Sequence, residues 1–360
     1  MNDLNNSRNP SVRRLACCLR LPLPLPVLTA VLVLATPAVV QAQFNYTVTN
    51  QTVTITGYTA ANDVVAIPST INGLPVTSIG DAAFYGNSTV TSVTIPNSVT
   101  SIGEAAFSQC TSLTNITLGS GVASIGDGAF YFCTSLTSVT IPNSVISIGD
   151  RAFAGCFSLT NITLGSGLTS IGGFAFSYVN YAHGAVIGCP LMNITIPNSV
   201  TNIGASAFWA CTSLTSVTIP NSVTNIGDYA FYYCTSLTSV YFQGNAPSVG
   251  WTDVFFGDNA TLYYLPGTTG WDSIFTGSPT ALWTLPYPLI LNSSLGVRSN
   301  QFGFTVSWAT NLSVVIEASP DLGNPKWSPV TTNALSGGTF QFTDPQWKNY
   351  PARFYRIRSP

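Results

Sequence analysis

IPNSVTSIGEAAFSQCTSLTNIT, from Ile95 to Thr117, decides the fold, because the same pattern restarts at Leu118, Ile141, Leu164, Ile196 and Ile219. The interval is 23 residues, with one step of 32. Within each copy Ser/Asn-Val/Ile-Thr-Ile/Leu alternates with period two. That predicts one short strand per copy, with Ile116 and Leu118 inward and Asn115 and Thr117 outward. The Pro or Gly that follows (Pro96, Gly119, Pro142) ends the strand. Next comes Val-x-x-Ile-Gly, in which Val99 and Ile102 point inward and Gly103 supplies a backbone free to take positive φ. The acid after that glycine (Asp81, Glu104, Asp127, Asp150, Asp228) is expected to cap a short helical turn, and Ala-Phe then recurs at Phe84, Phe107, Phe130, Phe153, Phe176, Phe208 and Phe231.

No single copy can enclose its own apolar side, so coils must stack and cover one another. At strand spacing, about 4.8 Å, equivalent residues form continuous columns of Phe, of Ile/Leu and of Cys. Coils begin at Ile67, Ile95, Leu118, Ile141, Leu164, Ile196 and Ile219, with a degenerate eighth from Phe242. Residues 43–66 alternate across Asn50-Gln51, as a β-hairpin that caps the first coil. Extra residues between Ser177 and Cys189 form a loop in the fifth coil. The solenoid is expected over 67–265, a C-terminal cap and linker over 266–288, and a small all-β sandwich-like domain over 289–360, where the period changes and short strands alternate with turn residues.

Only 7% of the 360 residues are charged. From Ile67 to Leu265 the one base is Arg151, against seven acids, so nucleic acid is excluded as a partner. Arg8, Arg13, Arg14 and Arg20 precede the apolar run from Leu21 to Val40, which ends Val40-Gln41-Ala42. This has the layout of an export signal, residues 1–42, cleaved near Ala42. Pro22, Pro24, Pro26 and Pro37 argue against the alternative of a membrane anchor. No later run reaches the ~20 apolar residues of a span, so a secreted or cell-surface location is expected, as a monomer.

The outward threonines Thr94, Thr117, Thr140, Thr163, Thr195 and Thr218 form a regular array that would suit a protein or glycan. Threonine also suits any exposed strand position. The array resembles an ice-binding grid, which its asparagines and the expected sheet curvature disfavour. Trp209 and Tyr232, in neighbouring coils, are a second candidate contact surface, with packing between coils as the alternative. Cys110, Cys133, Cys156, Cys189, Cys211 and Cys234 share one repeat position. Parallel Cβ vectors at coil spacing do not suit a disulfide, and a linear column cannot surround a tetrahedral metal, so buried free thiols are expected. His183, the only histidine, lies in the inserted loop, and no acid occurs between Asp150 and Asp228 to orient it as a hydrolase triad needs. The acids at 104, 127 and 150 could attract calcium, but helix capping explains them more simply, and the column breaks at Gly173 and Ala205. No catalytic residue, metal or cofactor is expected.

The period, with Leu-x-x-Ile-x-Leu at its centre, marks a leucine-rich repeat. Ile141 to Val145, Ile148-Gly149, Ala152-Phe153, Cys156 and Leu159 resemble, position for position, the repeat of the BspA-like leucine-rich-repeat family, and the resemblance runs from about Ile67 to Tyr241. It implies a surface or secreted bacterial protein, in some members an adhesin, with no common catalytic residues. The expectation is therefore a non-catalytic binding scaffold. The alternatives are a structural cell-envelope module without a ligand and, weakest, a hydrolase.

Overall fold

A computed structural model describes residues 43–180, 185–250, 253–283, 288–298, 301–308, 312–335 and 338–359. The expected export signal and His183 lie outside the described residues.

Each coil carries two strand segments, where the sequence pointed to one. The expected Ser/Asn-x-Thr strands form a front ladder of parallel pairs. Ser92–Thr94 lies between Val64–Ala66 and Asn115–Thr117, and Ser138–Thr140 pairs with Asn161–Thr163. The ladder resumes at Ser216–Ile219 and continues through Ser239–Phe242 and Thr261–Tyr264 to Ser278–Leu282. The second ladder uses the two residues before the repeat glycine. Ser101–Ile102, Ser124–Ile125, Ser147–Ile148, Ser170–Ile171, Asn202–Ile203 and Asn225–Ile226 pair in order, within one sheet that also takes in the amino-terminal hairpin. That hairpin pairs Phe44–Thr49 with Thr52–Tyr58 across Asn50 and Gln51, both at positive φ, as a two-residue hairpin turn requires.

The third side of the coil is not a helical turn. Alternate amides leave the coil: the Ala105, Phe107 and Gln109 N–H groups donate to the Asp127, Ala129 and Tyr131 carbonyls at 2.8, 2.7 and 2.6 Å. Those between them turn back locally, Ala106 to Gly103 and Ser108 to Ala105. The alternation is produced by residues in the left-handed region at two positions per coil, such as Ala105 (φ 51°) and Gln109 (φ 60°). A helix would keep every N–H for its own turn, whereas here half of them join coil to coil. The acids accordingly cap no helix. The Asp81, Asp127 and Asp150 carboxylates accept the N–H of Glu104, Asp150 and Gly173, each one coil further on, at 2.8, 2.8 and 2.6 Å.

The repeat glycine also has a different cause from the one expected. Gly103, Gly126, Gly149, Gly172 and Gly204 are not at positive φ. A Cβ on Gly126 would lie 2.7 Å from the Gly103 carbonyl carbon, and one on Gly149 would lie 2.6 Å from the Asp127 nitrogen. Glycine is present because successive backbones touch there.

The interior is organised by the phenylalanine column. Phe84, Phe107, Phe130, Phe153, Phe176, Phe208, Phe231 and Phe255 stack in an unbroken series, with centroids 4.7 to 5.6 Å apart and planes within 20° of parallel. Tyr58 continues the series at the amino end. Phe107, Phe130 and Phe153 are fully buried, each worth about 2–3 kcal/mol over exposure.

Among the described residues from 289 onward, six strands form two three-stranded antiparallel sheets. One holds Leu289–Arg298, Gln301–Ser307 and Thr339–Asp344; the other holds Ser328–Ala334, Ser313–Ser319 and Phe354–Arg358. Phe304, Val306 and Phe342 from the first meet Val314 and Ile316 from the second in a separate core. The Ser307 hydroxyl, donating to the Pro266 carbonyl at 2.8 Å, ties this domain to the end of the solenoid.

Candidate functional site

The front ladder fixes where the array of threonines points. Val93, Ile116, Val139 and Ile162 fill the core, and period two then turns the flanking residues outward. Thr94, Thr117, Thr140, Thr163 and Thr195 are exposed, and Thr218 is half-buried. Thr94 is in register with Thr117, Thr140 with Thr163, and Thr195 with Thr218. The hydroxyls are therefore aligned pair by pair, and the other outward position is aligned likewise, Ser92 with Asn115 and Ser138 with Asn161.

At its carboxyl end the threonine column becomes aromatic. Thr218 is in register with Tyr241, and Tyr241 with Tyr263. The two tyrosine rings stack at 5.2 Å, and Trp283 lies 4.8 Å from Tyr241. Sequence reasoning missed this trio, because Tyr241 and Tyr263 stand where the repeat has threonine and Trp283 follows the last recognisable coil. The signal was available: counting 23 residues on from Thr218 reaches Tyr241.

Trp209 and Tyr232 do meet, edge to face at 5.3 Å. They belong to a longer ridge along the left-handed turns. Tyr229 stacks on Trp209 at 5.8 Å, Phe256 stacks on Tyr232 at 5.3 Å, and Phe174 lies 6.3 Å from Trp209. Tyr233 and Phe256 keep 46% and 53% of their surface exposed, so the ridge presents apolar surface to solvent as well as joining coils. The fifth-coil insertion interrupts this edge as an antiparallel hairpin of Ser177–Asn180 and Ala185–Gly188. Its Tyr178 packs on Tyr131, Phe132 and Phe157.

The six repeat cysteines are buried free thiols. Each points back along the axis at the carbonyl of a column phenylalanine: Cys133 at Phe107 (3.1 Å), Cys156 at Phe130 (3.2 Å) and Cys234 at Phe208 (3.1 Å). Burial pushes Cys110 and Cys189 up to about 12 and the other four well above their ordinary 9.0. Such thiols are poor nucleophiles. Among the described residues no group of three His, Cys, Asp or Glu side chains is placed to hold a metal.

The profile of the BspA type leucine rich repeat region matches the chain in six copies over residues 77–183 and 182–266. No curated protein matches it. A leucine-rich repeat protein of T. pallidum is similar at 31% identity over 61% of this chain and 84% of its own (TM-score 0.42). A leucine rich cell surface protein of Faecalibacterium prausnitzii is similar at 29% identity over 60% and 74% (TM-score 0.40). A leucine-rich repeat protein of Bacteroides capillosus is similar at 33% identity over 34% and 94% (TM-score 0.31). Since six repeat copies account for more than half of its residues, this chain belongs to the BspA-type leucine-rich repeat family.

Proposed function

We propose that the chain is a secreted or cell-surface scaffold without catalytic activity, and that it binds a protein or glycan partner on the outer face of its solenoid. The observation that carries this reading is three in-register pairs of outward threonines, five of the six residues exposed. It is backed by a core that already satisfies every coil without them. A ladder of neutral hydroxyls and amides suits hydrogen-bonding partners and repels none by charge. The Trp209 and Tyr232 ridge adds the rigid aromatic surface from which interface anchors are drawn. Export is supported by the charged and apolar layout of residues 1–42; no helix among the described residues is long and apolar enough to cross a membrane.

The test is a pull-down and glycan-array screen with the chain from Gln43, followed by Thr117→Lys with Thr140→Lys, and by Trp209→Ala with Tyr232→Ala. One of the two pairs is expected to weaken the captured partner about tenfold or more, with the threonine pair leaving the unfolding temperature in place. Failure of the parent chain to capture any ligand, or substitutions that alter stability alone, would leave a purely structural module as the better reading.

A further inference from the structure

The thiol column ends on residues that are not cysteine. Asn87 stands three residues after Phe84 and Asp258 three after Phe255, as Cys110, Cys133, Cys156, Cys211 and Cys234 stand three after their own phenylalanines. The backbone carries that register into the last coil. Phe255 stacks on Phe231 at 5.4 Å, and Gly257 keeps the positive φ of Tyr233. The Asp258 N–H turns back to the Phe255 carbonyl at 3.3 Å, as the Cys234 N–H does to the Phe231 carbonyl at 3.2 Å. Inside the column a phenylalanine carbonyl accepts twice, from the N–H three residues on and from the thiol one coil further. Phe107 takes the Cys110 N–H at 3.2 Å and the Cys133 thiol at 3.1 Å, and Phe208 takes the Cys211 N–H and the Cys234 thiol, each at 3.1 Å. By that register the next seat, on the Phe231 carbonyl, falls to Asp258.

The two ends are finished differently. Asn87 Oδ1 accepts the Thr89 N–H, the Thr89 hydroxyl and the Val90 N–H, each at 3.0 Å. Both Asp258 oxygens are buried and accept nothing among the described residues. The titratable groups around them are the Cys234 thiol, one coil back, and Asp253, which lines the same cleft of about 390 Å³. Thr276, Gly277 and Ser278 close that cleft from the other side, and no lysine, arginine or histidine lines it. An ionised carboxylate in this setting is costly. A neutral acid is not, because its O–H can use the acceptor that the column provides.

We propose that Asp258 is a pH-sensitive latch: as a neutral acid it takes the place of the thiol and donates to the Phe231 carbonyl, and on ionisation it leaves, freeing the last coil and the hairpin of Ile274–Phe275 and Ser278–Leu282. That hairpin is poised to give way. At its tip Thr276 sits at φ 52°, rare for a β-branched residue, with a buried hydroxyl that has no partner among the described residues. Burial lifts the Asp258 carboxyl from 3.8 to about 8. The closed form therefore keeps a proton that the open form releases. Closure is firmest below 3.8, weakens as pH climbs from there, and changes no further above about 8. The latch is separate from the outer face of the proposed function and stands or falls independently of it.

The experiment is native-state hydrogen exchange of the chain from Gln43, read by mass spectrometry as the rate for residues 253–282 relative to residues 105–155, a ratio that cancels the pH dependence common to all amides. The ratio is expected to rise at least about tenfold between pH 5 and pH 7 and to level off above pH 8. It should stay flat in Asp258→Asn, which keeps a neutral donor, and in Asp258→Cys, which restores the column residue. Carbon-13 labelling of the aspartates gives a second reading, a carboxyl carbon that titrates near 8 and is missing from Asp258→Asn. A constant ratio in the parent, the same rise in either variant, or an Asp258 carbon that titrates below about 6 would each overturn the proposal.

Discussion

Replacing Gly149 by alanine tests the stacking of coils most directly. A Cβ there would lie 2.6 Å from the Asp127 nitrogen, about 0.8 Å short of the 3.4 Å at which ordinary contact begins. Asp127 Oδ1 is as close, at 2.5 Å, but the Asp127 nitrogen and the Gly126 carbonyl carbon, both at 2.6 Å, are backbone, so the coil itself must retreat. The nearest bonds that hold it are Gly149 N–H to the Ile125 carbonyl at 2.9 Å and Asp150 N–H to Asp127 Oδ1 at 2.8 Å. Overpacking costs about 1–3 kcal/mol and each strained hydrogen bond about 1 kcal/mol, so a loss of about 3 kcal/mol is expected. The control is Gly128→Ala, at a true left-handed position (φ 57°) where the added Cβ meets nothing nearer than 3.6 Å. Ala82 and Ala105 already occupy that position in other coils at φ 52° and 51°, so its cost should be about 1–2 kcal/mol, less than that of Gly149→Ala. Urea denaturation followed by far-UV circular dichroism gives both values. A Gly149→Ala protein no less stable than Gly128→Ala would refute close approach as the reason for the glycine.

Phe130→Ala, at the middle of the stack with neighbours at 5.4 and 5.1 Å, should cost about 3–5 kcal/mol; a loss under about 1 kcal/mol in the same urea assay would contradict a shared interior. The six thiols should be silent to a thiol reagent in the native state and react only on unfolding. Because burial raises their pKa in the folded chain, the unfolded chain releases thiol protons first. Their contribution to stability is full below 9.0 and is lost as pH rises from there toward about 12; urea midpoints that stay level across that window would count against it. Asp258 has buried oxygens without partners, and burial lifts its carboxyl from 3.8 to about 8, so it favours folding most below 3.8 and less as pH climbs to about 8. Asp258→Asn should therefore gain on the parent between pH 4 and pH 8, and a gap that shrinks over that interval would be the wrong sign.

What could be read from the chain, and what could not, follows from how each position repeats. Phe107, Phe130 and Phe153 were legible as a column because their side chains do the same job in each coil and tolerate no alternative. The outward threonines were legible for the related reason that strand period two leaves them nowhere else to point. The second ladder was hidden by brevity: Ser147–Ile148 is two residues long, too short for any period to show. The left-handed turn was hidden by side-chain variety, since its positive-φ position holds Ala82, Ala105, Gly128, Arg151, Phe174, Ser206 and Tyr229. Glycine usually advertises such a position, and here the invariant glycine stands two residues earlier, for a different reason.

That displacement explains how these coils build a stable third side without a helical turn. Alanine, arginine, phenylalanine or tyrosine in a left-handed conformation costs about 1–2 kcal/mol, and the chain accepts this in most coils. In return the Ala105 and Phe107 N–H groups reach the next coil at 2.8 and 2.7 Å, which sets the coil separation at which the phenylalanine rings stack 5.4 Å apart. Glycine is needed where the same separation brings backbones into contact, and aspartate where an N–H would otherwise lack an acceptor. Strain, ring stacking, glycine and aspartate are thus consequences of one distance, and lengthening it at any one coil should loosen all four together.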